Sequence, residues 1–330
     1  MNRLFYLIIV ALLAMSCESD NCPAPDQEAN EIECTFTVGI PEIKTRAADP
    51  DPSGSGQYAT SLYYRFYDEN DQPLSMSGAY HTGKPDDNGE ITWTISKKLV
   101  EGRKYYFYFW AGNKDVHHSS LKKQPYTLNL TNGTPPIVST VSMNKGQCFA
   151  NQDSYDVFCA KKEIIAGVDP GVILLHRPTA QLNIVTGDFA DAEKLGLEVV
   201  SSGITLAEME TVYDFNGQTS AVVENFEFKQ AAIPTYSVTL NNGTENKDYR
   251  VLSSNYIMMN NAEKETHDIV FRYTDSDGNV VEREFTSVPI QRNHRTYIVG
   301  DLLTFNGSYT LTVQPMMDPA SDEIVTVSAR

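Results

Sequence analysis

Apolar and polar residues alternate with period two along most of this chain, the spacing at which one face of a strand is buried and the other wet. Cys34-Thr35-Phe36-Thr37-Val38-Gly39-Ile40 is the first such run, and residues 62–67 and 90–95, with Ile91, Trp93 and Ile95, follow it. Tyr105-Tyr106-Phe107-Tyr108-Phe109-Trp110 is aromatic at odd and even positions alike. A strand apolar on both faces belongs in the middle of a sheet, covered above and below. Its rings read as core with cross-strand pairing, or alternatively as a stacking platform for sugars. Further strands are predicted at 181–185, 196–200, 236–240, 249–252 and 269–273. Asp275-Ser276-Asp277-Gly278-Asn279 reads as a hairpin turn, Asp-Gly being favoured where both central residues need positive φ. Asp275 and Asp277 faintly resemble a calcium loop, but no acidic residue stands at the twelfth position, so the turn reading wins.

Helix is the minority content, with short helical patterns at 152–166 and 188–195. Residues 18–33 are a polar linker rich in Pro, Ala, Asp, Glu and Asn. The stretch Asp49-Pro50-Asp51-Pro52-Ser53-Gly54-Ser55-Gly56 cannot hold regular structure and leaves Arg46 at the edge of an exposed loop. Asp169-Pro170-Gly171 breaks the chain before Val172-Ile173-Leu174-Leu175, which puts a domain boundary near residue 170. The expectation is a mainly β protein of two β-sandwich domains in series, 47–170 and 171–330, with a few short helices.

The first residues depart from this pattern. A basic start at Arg3, an apolar run over 4–13 and the small residues Ala14 and Ser16 precede Cys17. This is a signal peptide over 1–17, and a cysteine directly after it resembles a lipobox, although Ala14 stands where a strict lipobox has Leu. Lipidation of Cys17 would anchor the chain in the outer membrane through its acyl chains. The other reading is a secreted protein with a free Cys17. Glu18, Ser19 and Asp20 then resemble the acidic surface-export patch of Bacteroides-type lipoproteins, or serve as a solvated tether.

The 330 residues are 41% hydrophobic and 10% aromatic, enough to build about two cores. With 26 basic against 43 acidic residues the net charge is −17, which repels phosphate backbones and excludes nucleic acid as a partner. Cys22, Cys34, Cys148 and Cys159 permit three disulfide pairings or stand as buried thiols, and no pair has metal-ligand spacing. His117 and His118 are adjacent, so on a strand they would point to opposite faces. No nucleophile elbow, zinc helix, phosphate loop or dinucleotide fingerprint occurs. The chain shows no catalytic constellation and implies no cofactor or metal.

Three stretches together carry a family resemblance. They are Tyr106-Phe107-Tyr108-Phe109-Trp110-Ala111, Leu174-Leu175-His176-Arg177-Pro178-Thr179-Ala180-Gln181-Leu182-Asn183, and Val288-Pro289-Ile290-Gln291-Arg292-Asn293-His294-Arg295-Thr296 with Gly300-Asp301-Leu302-Leu303-Thr304. In this order the chain resembles the fimbrillin-like surface lipoproteins of Bacteroides-type bacteria. The resemblance implies two transthyretin-like β-sandwich domains and a subunit of a cell-surface fimbria. It also implies partners: other fimbrial subunits, an arginine-specific protease, and a host or bacterial surface ligand. In such proteins the protease removes an N-terminal strand after an exposed Arg, and the groove accepts a strand from the next subunit, a form of β-augmentation. Here 34–40 matches the displaced strand and the Arg46–Ala47 bond matches the cut, with Lys44 a neighbouring candidate. Residues 323–330, with Ile324, Val325 and Val327, read as the donor strand or as an ordinary edge strand. Arg292 and Arg295 read more readily as holding a strand-end loop than as a ligand site. The alternatives to a stalk subunit are a tip or anchor subunit, and a surface carbohydrate-binding lipoprotein.

Overall fold

A computed structural model describes residues 30–40, 59–70, 72–74, 81–82, 91–113, 125–130, 139–217, 220–241, 246–260, 264–304, 309–315 and 327–328. In chain order the strands of the first half are β1 (Glu31–Ile40), β2 (Ser61–Asp68), β3 (His81–Thr82), β4 (Ile91–Val100), β5 (Lys104–Gly112), β6 (Tyr126–Leu130), β7 (Ser139–Met143), β8 (Phe158–Ile165) and β9 (Val172–Leu174). Then come β10 (Thr179–Thr186), helix α1 (Phe189–Lys194), β11 (Val199–Glu210), β12 (Val212–Asp214), β13 (Val222–Ala232), β14 (Ser237–Asn241) and β15 (Asn246–Met258). The chain continues with β16 (Lys264–Asp275), β17 (Val280–Gln291), β18 (His294–Gly300), β19 (Thr310–Pro315) and β20 (Val327–Ser328). The protein is mainly β, as its period-two patterning requires.

Two sheets enclose the first core. In one the order is β4-β1-β9, in the other β3-β2-β5-β8. Phe36, Val38 and Ile40 of β1 and Ile91, Trp93 and Ile95 of β4 face Leu62, Tyr64 and Phe66 of β2 and Phe107 and Phe109 of β5. The second core lies between the sheet β14-β15-β10-β18-β19-β20 and the sheet β13-β11-β16-β17, flanked by β12-β7-β6. Leu182 and Ile298 from the first of these sheets meet Ile204, Phe226 and Phe271 from the second, and Tyr126, Val141 and Tyr213 close its side.

The aromatic strand β5 joins the two cores. It pairs with β2 on one side and β8 on the other, and its two faces go different ways. Phe107 and Phe109 enter the first core, while Trp110 enters the second and Tyr108 meets Phe215 edge-on at 5.5 Å. Trp110 also meets Tyr126 edge-on, with ring centroids 5.8 Å apart. The central position expected for a strand apolar on both faces is therefore found.

Three local expectations are corrected. Residues 152–166 hold one 3-10 turn, Asp153–Tyr155, and then the strand β8. There Phe158, Cys159 and Ala160 pair with Ala111, Trp110 and Phe109. Sheet pairing with a buried neighbour overrides a weak helical pattern. The strand expected from residue 196 starts at Val199, because Gly196 (φ +84°) ends α1 in a left-handed turn. The hairpin at Asp275 is longer than a two-residue turn, and within it only Gly278 has positive φ, at 85°. Asp275 Oδ1 accepts the N–H groups of Asp277 and Asn279, an Asx turn that stabilises the longer loop.

Candidate functional site

The strand β1 sits in a groove made by the rest of the first sandwich. All ten of its residues pair antiparallel with β4, from Glu31 opposite Val100 to Ile40 opposite Ile91. Thr37, Val38 and Gly39 also pair in parallel with Val172, Ile173 and Leu174 of β9. Strand alternation turns Ile32, Cys34, Phe36, Val38 and Ile40 inward and leaves Glu33 and Thr35 outside. Phe36, Val38 and Ile40 are 3%, 0% and 3% exposed, whereas Ile32 and Cys34 are half-buried at the far end.

Each inward position meets a defined wall. Phe36 lies beside Ile95 and meets Phe107 edge-on, with centroids 5.0 Å apart; Phe107 in turn stacks on Phe66 at 5.0 Å. Val38 lies opposite Trp93, and Cys34 opposite Lys97. The Lys97 ammonium covers the rings of Tyr64 and Phe66 at 5.3 and 5.4 Å, closing the end of the core with a cation over aromatic faces. Both ends of β1 are clamped. Glu101 N–H donates to the Asn30 carbonyl at 3.0 Å, Asn30 Nδ2 donates to Glu101 Oε2 at 2.7 Å, and Leu175 N–H donates to the Gly39 carbonyl at 2.9 Å. The groove thus binds a strand by backbone pairing along its length and by pockets at alternate positions. In sequence, β1 joins the body of the domain only through residues 41–58.

Arg46 and Ala47, the expected cut site, and Cys17, the expected lipid attachment point, lie outside the described residues, as do Cys22, His117 and His118. So do Ile324 and Val325 of the candidate donor strand. Val327 and Ser328 form β20, which pairs antiparallel with Leu311 and Thr310 at the edge of the six-stranded sheet. Cys34, Cys148 and Cys159 are free thiols. Burial pushes Cys148 and Cys159 each up to about 12, so both are held as thiols.

The stretches that carry the family resemblance converge on a polar cluster next to the second core. Arg177 donates Nε and Nη2 to the two carboxylate oxygens of Asp156 at 2.6 and 2.9 Å, and Nη1 to Asn293 Oδ1 at 2.7 Å. Its guanidinium lies 4.6 Å from the ring centre of Phe158. Asn293 takes a left-handed conformation (φ 56°) and donates its N–H to the Thr179 carbonyl, which locks the β17–β18 turn onto β10. Arg295, also buried, donates to Gln181 Oε1 at 3.1 Å. Beside this cluster His176 Nε2 lies 3.5 Å from Cys159 Sγ and 3.2 Å from Tyr213 Oη. Burial first, and the nearby Arg292 second, lower the basicity of His176. A neutral imidazole beside an un-ionised thiol is a packed polar contact with no activated nucleophile. The sequence singled out these stretches but not Arg177 or Asp156. Arginine just before Pro178, between two apolar runs, is the one local signal for them.

A second carboxylate cluster ends the Gly300-Asp301-Leu302-Leu303-Thr304 stretch. Asp188 accepts from Leu303 N–H at 3.1 Å, Thr304 N–H at 2.7 Å, Thr304 Oγ1 at 2.8 Å and the Thr186 hydroxyl. Burial opposes ionisation of Asp188, but these hydrogen bonds outweigh it and hold the carboxyl below its ordinary range. On the other sheet, Glu208, Glu210, Glu224, Glu265 and Asp268 line a depression around His267. His267 Nδ1 lies 3.0 Å from the Glu208 carbonyl and Nε2 3.2 Å from Glu265 Oε2, so the imidazole is engaged by its own surroundings.

Residues 25–327 match a family of unknown function (DUF6562), and the chain belongs to that family. No curated protein matches it in sequence. Among solved structures, the chain is similar to a fimbrial assembly protein from Parabacteroides distasonis, with 11% identity and a TM-score of 0.48 over 90% of this chain and 99% of that one. It is similar also to the fimbrial anchor protein Mfa2 from Porphyromonas gingivalis, with 11% identity and a TM-score of 0.42 over 90% of this chain and 99% of that one.

Proposed function

We propose that this chain is a structural or adhesive subunit of a cell-surface fimbria, exported as a lipoprotein through Cys17 and assembled by strand replacement. An arginine-specific protease cuts between Arg46 and Ala47, β1 leaves, and a strand from another subunit enters the groove. One observation carries the reading: β1 is a central strand, flanked by β4 and β9, yet it precedes the body of the sandwich and is tethered to it by a single segment. Its pairing is replaceable because backbone hydrogen bonds are indifferent to which chain supplies them.

Removal of residues 1–46 takes away three basic and seven acidic residues and leaves a net charge of −13. Subunits that negative repel one another, so assembly would rest on backbone pairing and apolar pockets, and salt would not dissolve the polymer. A second reading within the same class is a tip or anchor subunit. It is favoured by the pairing of Val327 and Ser328 with the protein's own β19. The carbohydrate-binding alternative is weakened, since the rings of Tyr105, Phe107, Tyr108, Phe109 and Trp110 are buried and Tyr106 alone of that run is half-buried.

The test is exposure of the purified chain from Glu18 onward to an arginine-specific protease, with the new N-terminus and the size distribution followed together. A clean cut before Ala47 followed by a ladder of salt-resistant polymers supports a stalk subunit. A cut product that stays monomeric supports a tip or anchor. A chain that is not cut between β1 and β2 overturns the processing step.

A further inference from the structure

The strand that replaces β1 is, we infer, selected by an aromatic residue at the Phe36 position, which residues 323–330 of a second copy do not supply. The inference rests on the strand-replacement reading above. The groove is not uniform along its length. At its centre the inward side chain is a phenylalanine 3% exposed, beside Ile95 and against Phe107 at 5.0 Å, and Phe107 is itself stacked on Phe66 at 5.0 Å and Phe109 at 5.8 Å. A wall of stacked rings is stiff, so it cannot close over a shorter side chain, and the void would remain. Two residues further on, opposite Trp93, the groove holds Val38, and after that Ile40 opposite Ile91. The matching segment is therefore extended, with Phe or Tyr at one inward position and branched aliphatics two and four residues later.

The outer face imposes less. A side chain in place of Gly39 would place its Cβ 3.4 Å from Thr92 Cγ2 and 3.6 Å from Val172 Cγ1, ordinary contacts that select nothing.

Residues 323–330 of a second copy do not meet the inner requirement. Their sequence, Glu-Ile-Val-Thr-Val-Ser-Ala-Arg, offers Val325, Val327 and Ala329 on one face and Ile324, Thr326 and Ser328 on the other. Neither face carries a ring, and the second would bury two hydroxyl groups against aromatic walls. Val327 and Ser328 are in addition paired with β19 of their own chain.

The experiment uses the full chain with a fluorophore ahead of β1, nicked by an arginine-specific protease between β1 and β2, so that release of labelled β1 reports exchange. Five synthetic peptides compete: residues 30–41; the same with Phe36→Ala; residues 321–330; the last with Ala329→Ile; and that form with Val325→Phe added, which sets a ring at the Phe36 position, Val327 at the Val38 position and isoleucine at the Ile40 position. The expected result is displacement by 30–41, at least about tenfold weaker displacement by its F36A form, none by 321–330 or its A329I form, and recovered displacement once V325F is added. Equal displacement by 321–330 and 30–41, no loss from F36A, or no gain from adding V325F overturns the aromatic rule while strand replacement stands. Failure of 30–41 itself to displace β1 overturns strand replacement, and this inference with it.

Discussion

Phe36 and Phe107 meet edge to face across the first sandwich, with ring centroids 5.0 Å apart and ring planes at 77°. One ring belongs to the strand that precedes the domain body and the other to the aromatic strand shared by both cores, so this contact ties β1 to the strand on which both cores are built. Phe36→Ala removes about 3–5 kcal/mol of stability, as for a ring lost from a packed core. Thr35→Ala, one residue away on the exposed face, loses one exposed hydroxyl bond to Ser96 and changes stability by less than about 1 kcal/mol. Urea unfolding of the two variants, with fragment release after nicking as a second readout, checks both values.

Arg177 and Asp156 form a bidentate pair with side chains 0% and 1% exposed. Removing either partner alone strands a charge in the interior, and Arg177→Ala or Asp156→Asn costs about 3–5 kcal/mol. The double variant costs less than the sum of the singles, because the second change removes the stranded group. A double-mutant cycle by thermal or urea unfolding measures the coupling, and additive singles would show the pair to be independent.

Asp188 links acid stability to the Leu302–Thr304 corner. Its folded carboxyl titrates below the ordinary carboxylate value of about 3.9. A depressed folded pKa stabilises the fold at pH values above the unfolded pKa and ceases to do so as pH falls through the folded value. The stability difference between the native chain and Asp188→Asn is therefore flat from pH 7 to about pH 5 and shrinks below about pH 4. Unfolding curves collected across that range decide it.

Cys148 and Cys159 are buried thiols pushed up to about 12, and a thiol that stays protonated does not alkylate. Iodoacetamide at pH 8 leaves both unmodified in the folded chain and modifies both in urea, as read by peptide mass mapping. Cys34 sits half-buried on β1, so its labelling rises when β1 leaves the groove and reports strand exchange without a fluorophore.

The alternation at 34–40, 62–67, 90–95 and 269–273 marked both the strands and their buried faces in advance, because a strand's side chains change sides at every residue and only one side of most strands is covered. The two-sided apolar pattern of residues 105–110 marked a central strand for the same reason. What the alternation could not carry is partnership. Backbone hydrogen bonds are alike at every residue, so nothing local tells β1 to lie between β4 and β9, or β7 to pair with β12 from far along the chain. Residues 158–165 became a strand because β5 offered a buried edge, against their own weak helical pattern. Arg177 acquired Asp156 and Asn293 because folding brought three distant segments together, and a charge can be buried only where its partners already stand. Periodicity, a local property, was legible in the sequence; pairing and the burial of charge depend on contacts distant along the chain, and the tertiary structure alone decided them.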